Sequence, residues 1–270
     1  MEVTFTRLPR WLRVAFVAAM AVLAGAFGLY AYRTMTQPVT LTVAVGSYDG
    51  DAARIMSAIA SELASTKSPV RLKVLDKGSA PEAVKAFSGG QADLAVVRGD
   101  IGDLSAARTV ALLTHGVVLL VAPPGSTIDS IQALKGKTVG VIARNANQKV
   151  IDVLTHEYDL DQAKVQFKDI APGDIPQALK LKQVHTLLIV TPISEKYLAM
   201  LRDLSPRAGK QQFELLPIES AGAIAALSRA YESYELPKGT IRGSPPIPDD
   251  DLTTLRVPFY LVANSKVDND

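Results

Sequence analysis

Residues 14–32 form an unbroken apolar run, preceded by Arg7, Arg10 and Arg13 and closed by Arg33. A charge-free stretch of this length approaches the roughly 20 residues needed to cross a hydrocarbon core, so it cannot be the half-wet face of a globular domain. The arginines ahead of it place the N-terminus in the cytoplasm and everything after it outside. Two readings of the run compete. Ala24-Gly25-Ala26 has the small-x-small pattern of a cleavable secretory signal. Yet the apolar stretch continues through Phe27, Leu29, Tyr30 and Tyr32, an extension with interfacial tyrosines that suits an uncleaved anchor. The chain has no cysteine, which excludes a lipid anchor on that residue and leaves an exported domain to be stabilised by its core alone.

The charge balance divides with this segment. Of 29 Lys+Arg and 27 Asp+Glu, the first 33 residues hold four arginines and one glutamate, leaving 25 against 26, or −1, for the rest. A near-neutral exported part without basic runs argues against nucleic-acid binding. From Pro38 onward strand-like and helix-like patterns alternate. A strand is expected over 39–45, then a helix with Ala52, Ile55, Met56, Ile59 and Leu63 on one stripe. Strands over 70–75 and 93–97 follow, separated by a helix opening at the capping box Ser79-Ala80-Pro81-Glu82. This β-α-β-α-β order implies parallel strands with right-handed crossovers.

A second unit follows 117–122 and the break at Pro123-Pro124-Gly125. It has strands over 138–142 and 185–190, a helix over 147–158 with Val150, Val153 and Leu154 inward, a helix opening at Gly173-Asp174-Ile175-Pro176, and a strand over 213–218. The spacing predicts an α/β fold of two lobes in series, preceded by the N-terminal transmembrane helix: 1–36 as signal anchor, 37–117 as the first part of lobe one, 118–217 as lobe two, and 218–270 as the return to lobe one. No short-period repeat supports a solenoid.

Particular segments resemble a known family. Leu134-Lys135-Gly136-Lys137-Thr138-Val139-Gly140-Val141 resembles the start of the second lobe in type II periplasmic binding proteins, and Gly89-Gly90-Gln91-Ala92-Asp93-Leu94-Ala95-Val96-Val97 the element closing their first lobe. Gly46-Ser47, Lys238-Gly239-Thr240-Ile241-Arg242-Gly243 and Val257-Pro258-Phe259-Tyr260-Leu261-Val262-Ala263 look like the TAXI receptors, the solute-binding subunits associated with TRAP transporters. The resemblance runs from about residue 41 to the C-terminus and implies a type II periplasmic-binding-protein-like fold with a ligand cleft between its lobes. It also implies a small organic anion as ligand (a dicarboxylate or an amino-acid-like acid), no cofactor, a TRAP-type permease as partner, and a position at the outer face of the inner membrane or free in the periplasm. In that family further helices follow the last strand. The segment 264–270 reads as a helix start, so the chain is expected to be truncated, with apolar surface of lobe one uncovered.

In open parallel sheets ligands sit beyond the carboxyl ends of strands, near helix N-termini. The candidate ligand-binding residues are ranked on that basis. Gly46, Ser47 and Tyr48 open the first such loop, although Asp49 and Asp51 have the wrong sign for an anion and suit a helix cap. Arg144, Asn145 and Asn147 fill the corresponding loop of the second unit. Arg144 there suits a bidentate grip on a carboxylate, whereas the plainer alternative is a solvated arginine and an N-cap at Asn147. Arg98 ends the third strand, where pairing with Asp100 or Asp103 at the surface is the default expectation. Ser79 reads first as a cap, and Thr191 as a weaker candidate of the same kind as Arg98.

Catalytic chemistry finds little purchase. His115, His156 and His185 share no metal-ligand spacing, and His156-Glu157 lacks a partner histidine. No nucleophile elbow or phosphate-binding loop is present. Asp249-Asp250-Asp251 lacks the alternating spacing of a calcium loop. The expected role is a solute receptor, with a membrane-tethered sensor or accessory protein as the alternative and no enzymatic activity or metal.

Overall fold

The computed structural model describes residues 9–35, 37–46, 50–66, 68–102, 107–204 and 212–264. Helix α1 (Arg10–Met35) contains the segment Trp11–Arg33, long and apolar enough to cross a membrane, with none of its apolar window buried against the rest of the chain. A helix apolar all round and unpacked is what a lipid-facing segment requires.

The remainder is built on one curled sheet. Its first part comes from β1 (Val39–Val45), α2 (Asp51–Ser65), β2 (Val70–Asp76), α3 (Ala80–Ser88) and β3 (Leu94–Arg98), with β2, β1 and β3 parallel. Strand β4 (Ala107–Ala122) then crosses to the second part. There β5 (Thr138–Val141), α4 (Gln148–Glu157), β6 (Gln166–Asp169), α5 (Ile175–Lys180) and β7 (Thr186–Pro192) repeat the parallel arrangement. They are followed by α6 (Glu195–Asp203), β8 (Glu214–Leu216), α7 (Ala221–Leu227), β9 (Glu232–Leu236), and the small hairpin of β10 (Arg242–Gly243) and β11 (Pro246–Ile247). Strand β12 (Leu252–Asn264) crosses back. The path through the sheet is β2-β1-β3-β12-β4-β7-β5-β6, with β8 against β4 and β9 against β12.

Period-two alternation decides which face each side chain serves. In the first lobe Val43, Val45, Leu94 and Val96 pack with Ala53 and Met56 of α2, whereas Ala44, Ala95 and Val97 pack with Ala83, Val84 and Phe87 of α3. In the second lobe Leu188 joins Val139, Val141, Val150 and Leu154 on one face, while Leu187 and Ile189 join Ile175, Leu198 and Leu201 on the other. A parallel sheet covered on both faces explains why β3 is buried along its whole length and reads as a continuous apolar run.

The crossing strands connect the lobes. β4 and β12 pair antiparallel from Val117↔Arg256 to Ala107↔Asn264, with register shifts between Phe259 and Tyr260 and between Leu261 and Val262. Residues 218–257 pack with the second lobe, where Ile218, Ala221, Ile224, Tyr231, Leu255 and Val257 share a core with Leu188. The chain rejoins β3 only from Phe259. The expected strand over 117–122 is the inner half of a much longer one. Its outer half is exposed, Val110 by 57% and Leu112 by 51%. The expected helix start at 264–270 falls outside the described residues, apart from Asn264 at the end of β12.

Within lobe one, Asp93 ties β1 to β3. Its Oδ2 accepts from the Thr42 backbone N–H and from the Thr42 hydroxyl, both at 2.7 Å, and its own N–H donates to Thr42 Oγ1 at 3.0 Å. The backbone hydrogen bond from Thr42, with the hydroxyl's beside it, holds the Asp93 carboxyl below its ordinary value. The folded form therefore keeps the anion longer than the unfolded form does, and the resulting stability is present above the ordinary aspartate value and lost as pH falls through the depressed one. Urea titrations of the full chain from pH 6 down to pH 3 are expected to show an acid loss that shrinks in Asp93→Asn; an identical acid slope in both would remove Asp93 from the account.

Candidate functional site

A cavity of about 340 Å³ opens between the lobes, inside the range of about 300–1,000 Å³ typical of small-molecule sites. Its walls are set by strand ends. Gly46 follows β1, Arg98 ends β3, Ile142 and Ala143 follow β5, and Thr191 and Pro192 end β7, all lining the same space. Thr114 of β4 and Phe259 of β12 add the crossing strands, and Tyr197 and Met200 of α6 complete the second-lobe wall. Four parallel strands from two lobes thus point their carboxyl ends at one cavity, where helix starts supply unpaired N–H groups.

The helix starts are close. Gly50, the N-cap of α2, and Asp51 line the cavity, as do Gly78, Ser79 and Ala80 at the start of α3. Ser79 Oγ accepts from the Glu82 N–H at 3.4 Å, so Ser79 both caps α3 and faces the cleft. Asp51 occupies the first helical position and makes no side-chain cap, lying 3.9 Å from Arg54 instead. A Cβ on Gly46 would come within 2.9 Å of the Ala80 backbone nitrogen. Loop and helix therefore touch backbone to backbone, a close approach that only glycine permits. Gly46→Ala is expected to displace α3 and cost about 1–3 kcal/mol, measured by urea denaturation; unchanged stability would show that the loop yields freely.

The chemistry centres on Arg98. Pairing with Asp100 at the surface was the default expectation. The pair forms, but it is buried, with Arg98 5% and Asp100 3% exposed. Arg98 Nε donates to Asp100 Oδ1 at 2.5 Å and Nη2 to Oδ2 at 2.9 Å. The same guanidinium reaches the other lobe, where Nη1 donates to Asn147 Oδ1 at 2.7 Å and Nη2 to the Ala146 carbonyl at 2.5 Å. Tyr231 closes the group by donating to Asp100 Oδ2 at 3.3 Å. Burial, and next the Asp100 charge, push the Tyr231 phenol well above its ordinary value, so it remains a donor at all working pH values. Arg98 is thus an interlobe tie with a bidentate counter-charge rather than a surface pair.

The second-lobe loop divides. Asn147 lines the cavity with both side-chain polar atoms engaged, Nδ2 donating to the Ile142 carbonyl at 2.7 Å while Oδ1 accepts from Arg98. It occupies the N-cap position of α4 without capping by its side chain. Arg144 and Asn145 lie off the cavity lining. Arg144 is half-buried, its backbone N–H donating to Asp169 Oδ1 at 2.8 Å, and Asn145 is exposed. Thr191 is buried and lines the cleft, with only a 3.4 Å contact from its Oγ1 to the Pro192 carbonyl. Ser47 and Tyr48 lie outside the described residues. Sequence reasoning passed over Phe259, Thr114, Tyr197, Met200 and Tyr231; a return strand placing an aromatic one residue past Pro258 was the available signal for Phe259. Among the described residues no three His, Asp or Glu side chains group as a metal site.

A larger cavity of about 530 Å³ lies in the second lobe between Gly125, residues 212–215 and residues 246–249. Among the described residues none of the first lobe lines it, so lobe movement has no purchase there.

Comparison with known proteins agrees with this geometry. Residues 70–202 match the family model described as NMT1/THI5 like. No curated protein matches in sequence. Among solved structures, the periplasmic aliphatic sulphonate binding protein SsuA from Escherichia coli aligns with a TM-score of 0.51 at 14% identity, covering 84% of this chain and 66% of that one. The probable amino-acid ABC transporter extracellular-binding protein YtmK from Bacillus subtilis aligns with a TM-score of 0.51 at 11% identity, covering 86% of each chain. A Xanthomonas citri protein solved bound to ATP aligns with a TM-score of 0.52 at 10% identity, covering 85% of this chain and 78% of that one. The fold is the two-lobed fold of type II periplasmic binding proteins, preceded here by an apolar helix.

Proposed function

We propose that this chain is an extracytoplasmic solute-binding receptor, held at the outer face of the inner membrane by α1, that passes a small molecule to a membrane permease. One observation carries the reading: a single cleft collects the carboxyl ends of β1, β3, β5 and β7 from two lobes joined by two crossing strands. Such an arrangement closes around a ligand by hinge motion of the lobes. The names of the structural neighbours, one a sulphonate binding protein and one a transporter's extracellular-binding protein, support a binding role over an enzymatic one. A TRAP-type permease as the partner, and an organic acid as the cargo, rest on the sequence resemblance to TAXI receptors.

The test is binding by the full chain in lipid nanodiscs, followed by thermal unfolding against dicarboxylates, amino acids, sugars and uncharged amides. A ligand at 100 times its dissociation constant is expected to stabilise the fold by about 2.7 kcal/mol. The gain should vanish in Met200→Trp, which fills the cleft from α6. A folded chain that no compound stabilises would sink the receptor reading. It would leave the second reading, a membrane-tethered sensor or accessory protein. The short link from Met35 to Val39 suits both readings, since a tether keeps a receptor near its transporter and a sensor near its partner.

A further inference from the structure

Resting on the receptor reading but departing from the organic acid that the TAXI resemblance implies, we infer that the cleft takes an uncharged ligand with an apolar body, not a free carboxylate. Two described residues lining the cavity carry side-chain charge, Arg98 and Asp51. Arg98 spends two of its five N–H directions on Asp100 and two on the acceptors of Asn147 and Ala146. One direction remains, too few for the two-pronged grip that makes arginine a carboxylate site. Its charge is also cancelled on the spot, because Asp100 is as deeply buried as the guanidinium it faces.

What remains is negative or neutral. Asp51 lines the cavity with Arg54 at 3.9 Å from its carboxylate. A carboxylate entering here loses its hydration and meets the Asp51 carboxylate, with helix N-termini as its compensation. The rest of the lining favours carbon. Val96, Ile189, Val190, Met200 and Phe259 come from both lobes and from a crossing strand. Thr114, Thr191 and Ser79 supply hydroxyls suited to a neutral amide, carbonyl or hydroxyl.

Matched pairs test this. Ligand-observed NMR on the full chain in nanodiscs, with empty nanodiscs as the partition blank, would compare benzamide with benzoate and hexanamide with hexanoate. Each neutral amide is expected to bind about tenfold or more tightly than its carboxylate, with the signal lost in Met200→Trp. Ala146→Trp, which occludes from the loop ahead of α4, replaces that variant if its circular dichroism shows misfolding. Carboxylates binding as well as the amides, and lost in the filled variant, would overturn the neutral class while keeping the receptor. Failure of all four probes to give a signal that the filled variant removes would also overturn it. The broader stabilisation panel, scored independently, then decides whether the receptor reading falls as well.

Discussion

Asp100→Ala is expected to lower the stability of the full chain by about 3–5 kcal/mol, because it leaves a buried guanidinium without its counter-charge. Arg98 would keep the Asn147 and Ala146 acceptors but no counter-charge, with 5% of its surface exposed. For a fold of this size each kcal/mol moves the melting temperature by about 2–4 °C, so the shift should be on the order of 10 °C. Urea denaturation gives the free energy directly. The sharper observation is a comparison. Replacing both partners, Arg98→Met with Asp100→Leu, removes the charge together with its need and should recover most of the loss. Tyr231→Phe removes only the 3.3 Å hydrogen bond and should cost about 0.5–1.5 kcal/mol. A loss under about 1 kcal/mol in Asp100→Ala would mean that the pair behaves as a solvated one.

Leu188→Ala is the second large effect. Leu188 is fully buried at the centre of β7, with Val139, Val141, Val150 and Leu154 around it. Both faces of this strand are covered, since Leu187 and Ile189 fill the opposite core. Neither layer has a free edge into which neighbours can slump, so the cavity left behind should persist. The expected cost is about 2–5 kcal/mol. Leu188→Met, close in volume, should stay under about 1.5 kcal/mol. If the alanine and methionine variants unfold at the same urea concentration, the packing account of β7 fails.

The sequence disclosed the repeating β-α units because their period-two and helical patterns are local. β1 spans the expected 39–45, and Ser79 caps α3 where the capping box placed it. The outer half of β4 was illegible for a physical reason: residues 108–112 are exposed, and no alternation of buried and solvated positions marks them as strand. Helices α6 and α7 were missed because neither opens on a capping box or a first-turn proline, the signals that marked α3 and α5. The cleft could be located only as a set of strand ends. Nothing local to Arg98 says that Asn147, forty-nine residues away, accepts its hydrogen bond, since that meeting exists only when two lobes face each other. The same limit applies to Arg144, for a loop's place after a strand does not tell which of its side chains line the cleft. Tyr231 lies 131 residues from Asp100 and offered no signal at all.

The link between α1 and the sheet sets how this protein would find a partner. Helix α1 ends at Met35 and β1 begins at Val39, a span that even fully extended chain covers in about 10–15 Å. A receptor whose α1 stays in the bilayer cannot roam through the periplasm. It searches by lateral diffusion, with its cleft at a nearly fixed height above the lipid. Collision with a permease then becomes a two-dimensional event, governed by local concentration on the membrane rather than by binding strength in bulk. Modest affinity between receptor and permease would suffice, and lengthening the link with a flexible insert should slow delivery even where ligand binding is untouched.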